Sequence, residues 1–258
     1  MTQPSSHHDP ALTLYQFPPA LGLPISESPP CAKVEVYLRL VGRPYTLELG
    51  DTRRSPNKMV PFVRWPDGTL QGESGDIIGR IEAEQKLDAE LDPDRLAHGQ
   101  RVAARVEEVV YDACLYDRFV DPVGWRLQRP ITRGLIAQFI PAFVAPLATV
   151  VVRWKQVRRA KSGEMGDPKT GYAAAIEALE QTAALLGSDP YLCGDRPSTV
   201  DCAIWPNVVH LAATPNSSPA RDAARAHTSL QAWMLRFGVG VGMPIEPSLI
   251  GATGGSAR

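Results

Sequence analysis

With 258 residues, 44% of them hydrophobic, the chain is long enough for one large domain or two small ones with substantial cores. Its net charge of −1, from 27 basic and 28 acidic residues, gives no general pull toward nucleic acid or an anionic membrane. Four scattered cysteines, Cys31, Cys114, Cys193 and Cys202, include no Cys-x-x-Cys and form no disulfide framework, which suits a reducing cytosol and a cytoplasmic protein.

The first ten residues carry neither a secretory signal nor a transit pattern and read as a short disordered lead. Leu12 to Phe17 alternates like a strand, and Val34, Tyr37, Leu38 and Val41 recur at helical spacing. Between them stands Ser28-Pro29-Pro30-Cys31. A helix with proline in its first turn presents unpaired N–H groups and the positive end of its dipole, and both favour a thiolate or hydroxyl held there. Ser28 takes the N-cap position, and capping and thiol contact are compatible roles for it. Tyr45 to Leu49 reads as a second strand, Val60 to Trp65 and Thr69 to Gln71 as strands about the Pro66-Asp67-Gly68 turn, and a helix starts at Glu73-Ser74. Pro61, at a strand start, has the place of a cis-proline. Strand, helix, strand, then hairpin and closing helix is the thioredoxin arrangement, over residues 11–88.

Helical periodicity takes over after Pro93, with Val102, Val106, Val109, Ala113 and Tyr116 as one core stripe and Tyr172, Ile176, Leu179, Ala183 and Leu186 as another. An all-helical domain follows over residues 94–237. Leu135 to Val152 is almost wholly apolar and reaches the lower length limit of a spanning helix. Pro141 and Pro146 fall inside it, so a buried or crevice-lining helix is expected, with membrane association the less favoured alternative. Arg153, Lys155, Arg158, Arg159 and Lys161 read as a solvated basic face. Ser198 and Asp201 have capping-box spacing before an apolar helix. Beyond Phe237 the Gly-rich tail has no periodicity and reads as a loose extension without nucleotide-binding character. His7-His8, His98, His210 and His227 lack metal-ligand spacing, so no metal is expected.

The segments Leu14 to Pro18, Ser28 to Arg39, Ser55 to Phe62 and Tyr191 to Asp201 together resemble the glutathione transferase superfamily, and within it the failed-axon-connections and metaxin-like branch. The resemblance spans roughly Leu14 to Leu211; the long Pro18–Glu27 segment suits that branch. It implies the glutathione transferase fold: an α/β thioredoxin-like N-terminal domain and an all-α C-terminal domain, with glutathione as co-substrate in the cleft between them. It further implies that Ser28 donates a hydrogen bond to the glutathione sulfur and that Val60, before cis-Pro61, pairs its backbone with the cysteinyl part. Glu73-Ser74 would hold the γ-glutamyl end, and Lys58 the glycyl carboxylate.

A free thiol with pKa near 8.5 is about 3% thiolate at pH 7, and lowering it by about two units needs roughly 2.7 kcal/mol of thiolate stabilisation. A hydroxyl with helix N-terminal amides can supply that. The expected activity is therefore transfer of the glutathione thiolate to a small electrophile, a detoxification chemistry, by a cytoplasmic homodimer with no nucleic-acid partner. The alternative is a non-catalytic metaxin-like interaction or membrane-associated module. Tyr15 and Cys31 are secondary candidates, Cys31 as nucleophile of a glutathione-dependent reductase. Tyr111, Cys114, Leu115 and Trp125 are candidates for the electrophile pocket and equally for the core.

Overall fold

The computed structural model describes residues 11–252. The His7-His8 pair and the expected disordered lead lie outside them. Strand β1 (Leu12–Gln16) leads through a long loop to α1 (Pro29–Leu40), followed by β2 (Tyr45–Leu49), β3 (Phe62–Arg64), β4 (Leu70–Gly72) and α2 (Ser74–Gln85). The sheet order is β2-β1-β3-β4, with β1 parallel to β2 and the β1/β3 and β3/β4 pairs antiparallel. This is the thioredoxin-like arrangement. β3 is shorter than its apolar run: the ladder starts only at Phe62, after Pro61, which has no N–H to give it.

Helix α3 (Pro93–Arg105) continues through a π-helical turn at Val106–Val110, α4 (Tyr111–Leu115) and a second π turn at Tyr116–Val120. The second π turn buries Asp117, Arg118 and Phe119 together, and such turns re-aim side chains without ending a helix. Then come α5 (Pro122–Ile136), α6 (Ala145–Ala160), α7 (Pro168–Leu186), α8 (Thr199–Ala213), α9 (Pro219–Ala226) and α10 (Thr228–Gly240).

The two halves share one core. Helix α1 buries Ala32, Val34, Val36, Tyr37 and Leu38, and α8 is buried along its length, as expected of a helix apolar all round. The capping box begins α8. Asp201 Oδ2 accepts from Ser198 N (2.9 Å) and Ser198 Oγ (2.7 Å), while Oδ1 accepts from Leu192 N (3.1 Å) and Trp233 Nε1 (2.9 Å). The box thus also ties α10 and the preceding turn to α8.

Two expectations need correction. As far as residue 252 the segment beyond Phe237 is not loose, the rest of the tail lying outside the described residues: it continues α10 to Gly240, and Val241, Met243, Ile245 and Ile250 are buried. Gly238 permits this return, since a Cβ there would stand 2.8 Å from the Met243 carbonyl oxygen, and Arg225 Nη2 donates to Leu249 O at 2.8 Å. Leu135 to Val152 is not one helix. It breaks after Ile136 and resumes at Ala145, consistent with proline's missing donor. No helix among the described residues is long and apolar enough to cross a membrane. Leu135, Ile136, Phe139, Ile140, Ala148 and Val152 line the cleft described below, Ala145 and Thr149 are buried, and Phe143, Leu147 and Val150 begin an exposed stripe that continues to Trp154.

Asp201→Ala strands four buried donors at once. We expect it to destabilise the protein by about 3 kcal/mol or more in urea unfolding. A loss below about 1 kcal/mol would show that the Asp201 network is not what holds α8 and α10 together.

Candidate active site

Ser28 stands at the N-cap of α1 with extended backbone (φ −102°, ψ 114°), and two prolines open the helix behind it. Its side chain makes no capping hydrogen bond, so the hydroxyl is not spent on the helix amides. It lies within hydrogen-bonding reach of the Cys31 thiol. Cys31 is fully buried, and burial pushes its thiol up to about 11 despite hydrogen bonds from Ser28, Ser26 and the Phe17 backbone. A protonated, inaccessible thiol lacks what a nucleophilic cysteine requires. Tyr15 stacks on Phe62 (centroids 4.4 Å apart, 3° between planes) with Arg54 and Arg64 over its ring. It packs on the sheet and is not in the cleft lining.

The second cluster is built on unusual backbone. Lys58 (φ 63°) and Glu73 (φ 61°) both adopt positive φ, which costs a non-glycine residue about 1–3 kcal/mol and persists only where surroundings over-determine it. Asn57 supplies part of that determination. Its Oδ1 accepts from Ser55 Oγ (2.7 Å) and Met59 N (3.1 Å), and its Nδ2 donates to Glu73 Oε1 (2.7 Å). Gly72 leaves room for the amide, because a Cβ there would sit 2.8 Å from Asn57 Nδ2. Gly50 does the same for Val60, whose Cγ1 occupies a point 2.5 Å from where a Cβ would stand. Glu73 caps α2 by position and not by side chain, so the first amides of that helix, beginning at Ser74, have no partner from their own cap.

Between the sheet and the helices lies a cleft of about 420 Å³. Phe17, Glu27, Gly50 to Arg53 and Lys58 line one wall; Phe119, Leu135, Ile136, Phe139, Ile140, Ala148 and Val152 make the other wall apolar, with Lys155 and Gln156 at its margin. Among the primary sequence candidates Lys58 is part of this lining, while Ser28, Val60, Pro61, Glu73 and Ser74 are not. Ser28 adjoins it through Glu27, and Val60 through its contact at Gly50. Tyr111, Cys114, Leu115 and Trp125 do not line it: Cys114 and Leu115 are core, Arg159 covers Tyr111 at 5.0 Å and Arg153 covers Trp125 at 4.7 Å.

Sequence reasoning missed Glu27, Arg53 and Asn57. Arg53 pairs with Asp51 at 2.7 Å and reaches the Phe139 carbonyl oxygen at 3.4 Å, so it spans the two walls. The Asn57-x-Met59 spacing of a side-chain turn was readable, as was Asp51-x-Arg53; the partner of Glu27 and the Phe139 contact of Arg53 are far off in sequence. No group of three or more His, Cys, Asp or Glu side chains able to hold a metal occurs among the described residues.

A buried clamp holds the loop before Ser28. Arg118 Nη1 donates to Glu27 O (2.8 Å) and Nη2 to His210 Nδ1 (2.7 Å); His210 Nε2 then donates to Ser26 O (2.9 Å). Arginine can only donate, so Nδ1 must be the unprotonated nitrogen. Burial and then the Arg118 charge hold the His210 pKa well below its ordinary value, which keeps the ring neutral.

Residues 29–124 match the family model described as glutathione S-transferase N-terminal domain, and residues 147–236 that of glutathione S-transferase, C-terminal domain. An isoprene-epoxide–glutathione S-transferase of Rhodococcus sp. (strain AD45) is 27% identical over 215 residues, 79% of this chain and 88% of that one. Among solved structures, the Tau class glutathione S-transferase of mango (Mangifera indica) superposes with a TM-score of 0.57 at 18% identity, covering 94% and 96% of the two chains. The theta class glutathione S-transferase of Xanthomonas axonopodis pv. citri, solved with glutathione bound, gives 0.52 at 19%, covering 90% and 97%.

The clamp predicts a pH dependence. Folded His210 stays neutral while the unfolded side chain protonates near pH 6.5, so the unfolded state binds the extra proton and stability falls as pH drops below that value, by up to about 1.4 kcal/mol per unit. His210→Gln should lack this contribution, and the wild-type and variant stability curves should converge from pH 7 to pH 5. Parallel curves would contradict a neutral His210 in the clamp.

Proposed function

The chain belongs to the glutathione S-transferase superfamily, and from that premise we propose that it binds glutathione at the sheet side of the cleft and transfers the thiolate to a small apolar electrophile. The observation that carries this reading is the Ser28 hydroxyl, free of any bond to the helix amides at a proline-started helix, beside a cleft whose far wall is largely apolar. The Ser28 hydroxyl donates to the sulfur and, with the α1 amides, stabilises the thiolate. Val60 pairs its backbone with the cysteinyl part, next to Pro61. Glu73, Ser74 and the open α2 amides take the γ-glutamyl end, which carries both a carboxylate and an ammonium group. Lys58 meets the glycyl carboxylate.

The isoprene-epoxide relative supports a small electrophile. The long Pro18–Glu27 loop supports the failed-axon-connections and metaxin-like branch. Four free, buried cysteines support a cytoplasmic site. The exposed Leu147, Val150 and Trp154 stripe supports a homodimer, since such surface is normally covered. Residues 11–88 are taken as the glutathione-binding unit and 94–237 as the helical one.

Ser28→Ala tests the thiolate role. The pKa of bound glutathione, read from thiolate absorbance, should lie about two units below 8.5 in the wild type and return toward 8.5 in the variant. Conjugation of an aryl chloride at pH 7 should fall by roughly 10- to 100-fold. An unchanged thiol pKa and rate would overturn the assignment.

A further inference from the structure

The transfer reading leaves one acid in the cleft without a task or, among the described residues, an ion-pair partner. Of the charged residues that line it, Asp51 is engaged by Arg53, whose hydrogen bonds hold that carboxyl below its usual range. Arg53, Lys58 and Lys155 are cations. Glu27 is the remaining acid, one residue before Ser28 and at the foot of the apolar wall. Its backbone is fixed by the Arg118 bond to Glu27 O. Its Oε2 is shielded from solvent and has no hydrogen-bond partner among the described residues. A buried oxygen left without a partner is costly, and such groups call for an explanation of their own.

We propose that Glu27 is a catalytic acid for electrophiles whose attack leaves negative charge on oxygen, strained cyclic ethers above all. This extends the transfer reading and rests on it. As the glutathione sulfur forms its bond to carbon, the carbon–oxygen bond breaks and its electron pair goes to oxygen. The Glu27 carboxyl gives that oxygen its proton, yielding a thioether alcohol. The proton released when the next glutathione thiol ionises returns to Glu27, so the cycle consumes one thiol and one ether and needs no other reactant.

The surroundings support an acid that is protonated when required. Burial raises the Glu27 pKa, and Arg118 and a hydrogen bond with Gln128 oppose that only in part. The groups facing it are Arg118 from the second π turn, Gln128 from α5, Cys31 from α1, and Asp51, Arg53, Lys58 and Lys155 around the cleft. The neighbouring thiol is itself held protonated and adds no charge.

The test compares two substrates that share the thiolate step. A terminal epoxide such as styrene oxide leaves an alkoxide, whereas 1-chloro-2,4-dinitrobenzene expels chloride and needs no proton. Glu27→Gln should lower the ratio of epoxide to aryl chloride kcat/KM by about a hundred-fold or more, the range of general acid catalysis. It should also abolish the fall of epoxide turnover at high pH, and Glu27→Asp should recover part of the ratio. Thermal melting and glutathione titration of each variant separate this from misfolding. An unchanged ratio would overturn the proposal, as would a wild type that turns over the aryl chloride and no epoxide. A wild type that turns over neither would overturn the transfer reading, and this one with it.

Discussion

The contact on which the site depends is the buried chain from Arg118 through His210 to the backbone of Ser26 and Glu27. It joins the second π turn, helix α8 and the loop that leads into α1. A loop of this length would otherwise carry its carbonyls to water and leave the start of α1 loosely placed. Two of those carbonyls instead accept from side chains rooted in the helical core. The direction of each bond is forced, since arginine donates, the ring nitrogen accepts and the opposite nitrogen donates onward. Ser28 follows two residues after the anchored Ser26. Its position is therefore set by the helical half as much as by the sheet that precedes it.

The other side of the site is governed by backbone shape. Positive φ at Lys58 and Glu73, the cis peptide at Val60–Pro61 and the close approaches at Gly50 and Gly72 lie within a short stretch of chain. Asn57 links them, since one amide satisfies the Ser55 hydroxyl, the Met59 amide and the Glu73 carboxylate. Residues held in sparsely populated conformations concentrate where ligands are gripped by main chain. A backbone groove of this kind tolerates varied side chains, which fits the fold's persistence at 18–19% identity with the mango and Xanthomonas structures.

What could be read from sequence followed the range of the interaction that fixes it. Local signals were clear: β1 by alternation, α1 by proline and spacing, and α8 by Ser198 and Asp201, which form the box their spacing implies. The place of Pro61 was legible from its position at a strand start, and the bond is cis. The tail beyond Phe237 was misread because Val241, Met243 and Ile245 alternate with Gly242 and Pro244 in a segment that forms neither strand nor helix, so their burial comes from tertiary docking and not from an element a period could announce. Of the two roles open to Tyr111, Cys114, Leu115 and Trp125, electrophile pocket or core, none has the first: Cys114 and Leu115 are core, and arginines of α6 cover Tyr111 and Trp125. The apolar wall comes from the break between α5 and α6 and from Phe119 in a π turn, whose register departs from the 3.6-residue count. Arg118, His210 and Glu27 come together over 91 and 92 positions of sequence, beyond any motif.

Ser28 and the Asn57–Glu73 cluster stand outside the cleft lining itself, as the two parts of the proposed glutathione site. Calorimetric titration of the purified protein with reduced glutathione tests it most directly. Binding in the micromolar to low-millimolar range is expected, weakened in Asn57→Ala, which removes the partner of the Glu73 carboxylate without touching Ser28. No detectable heat, with no displacement of a glutathione analogue, would contradict it.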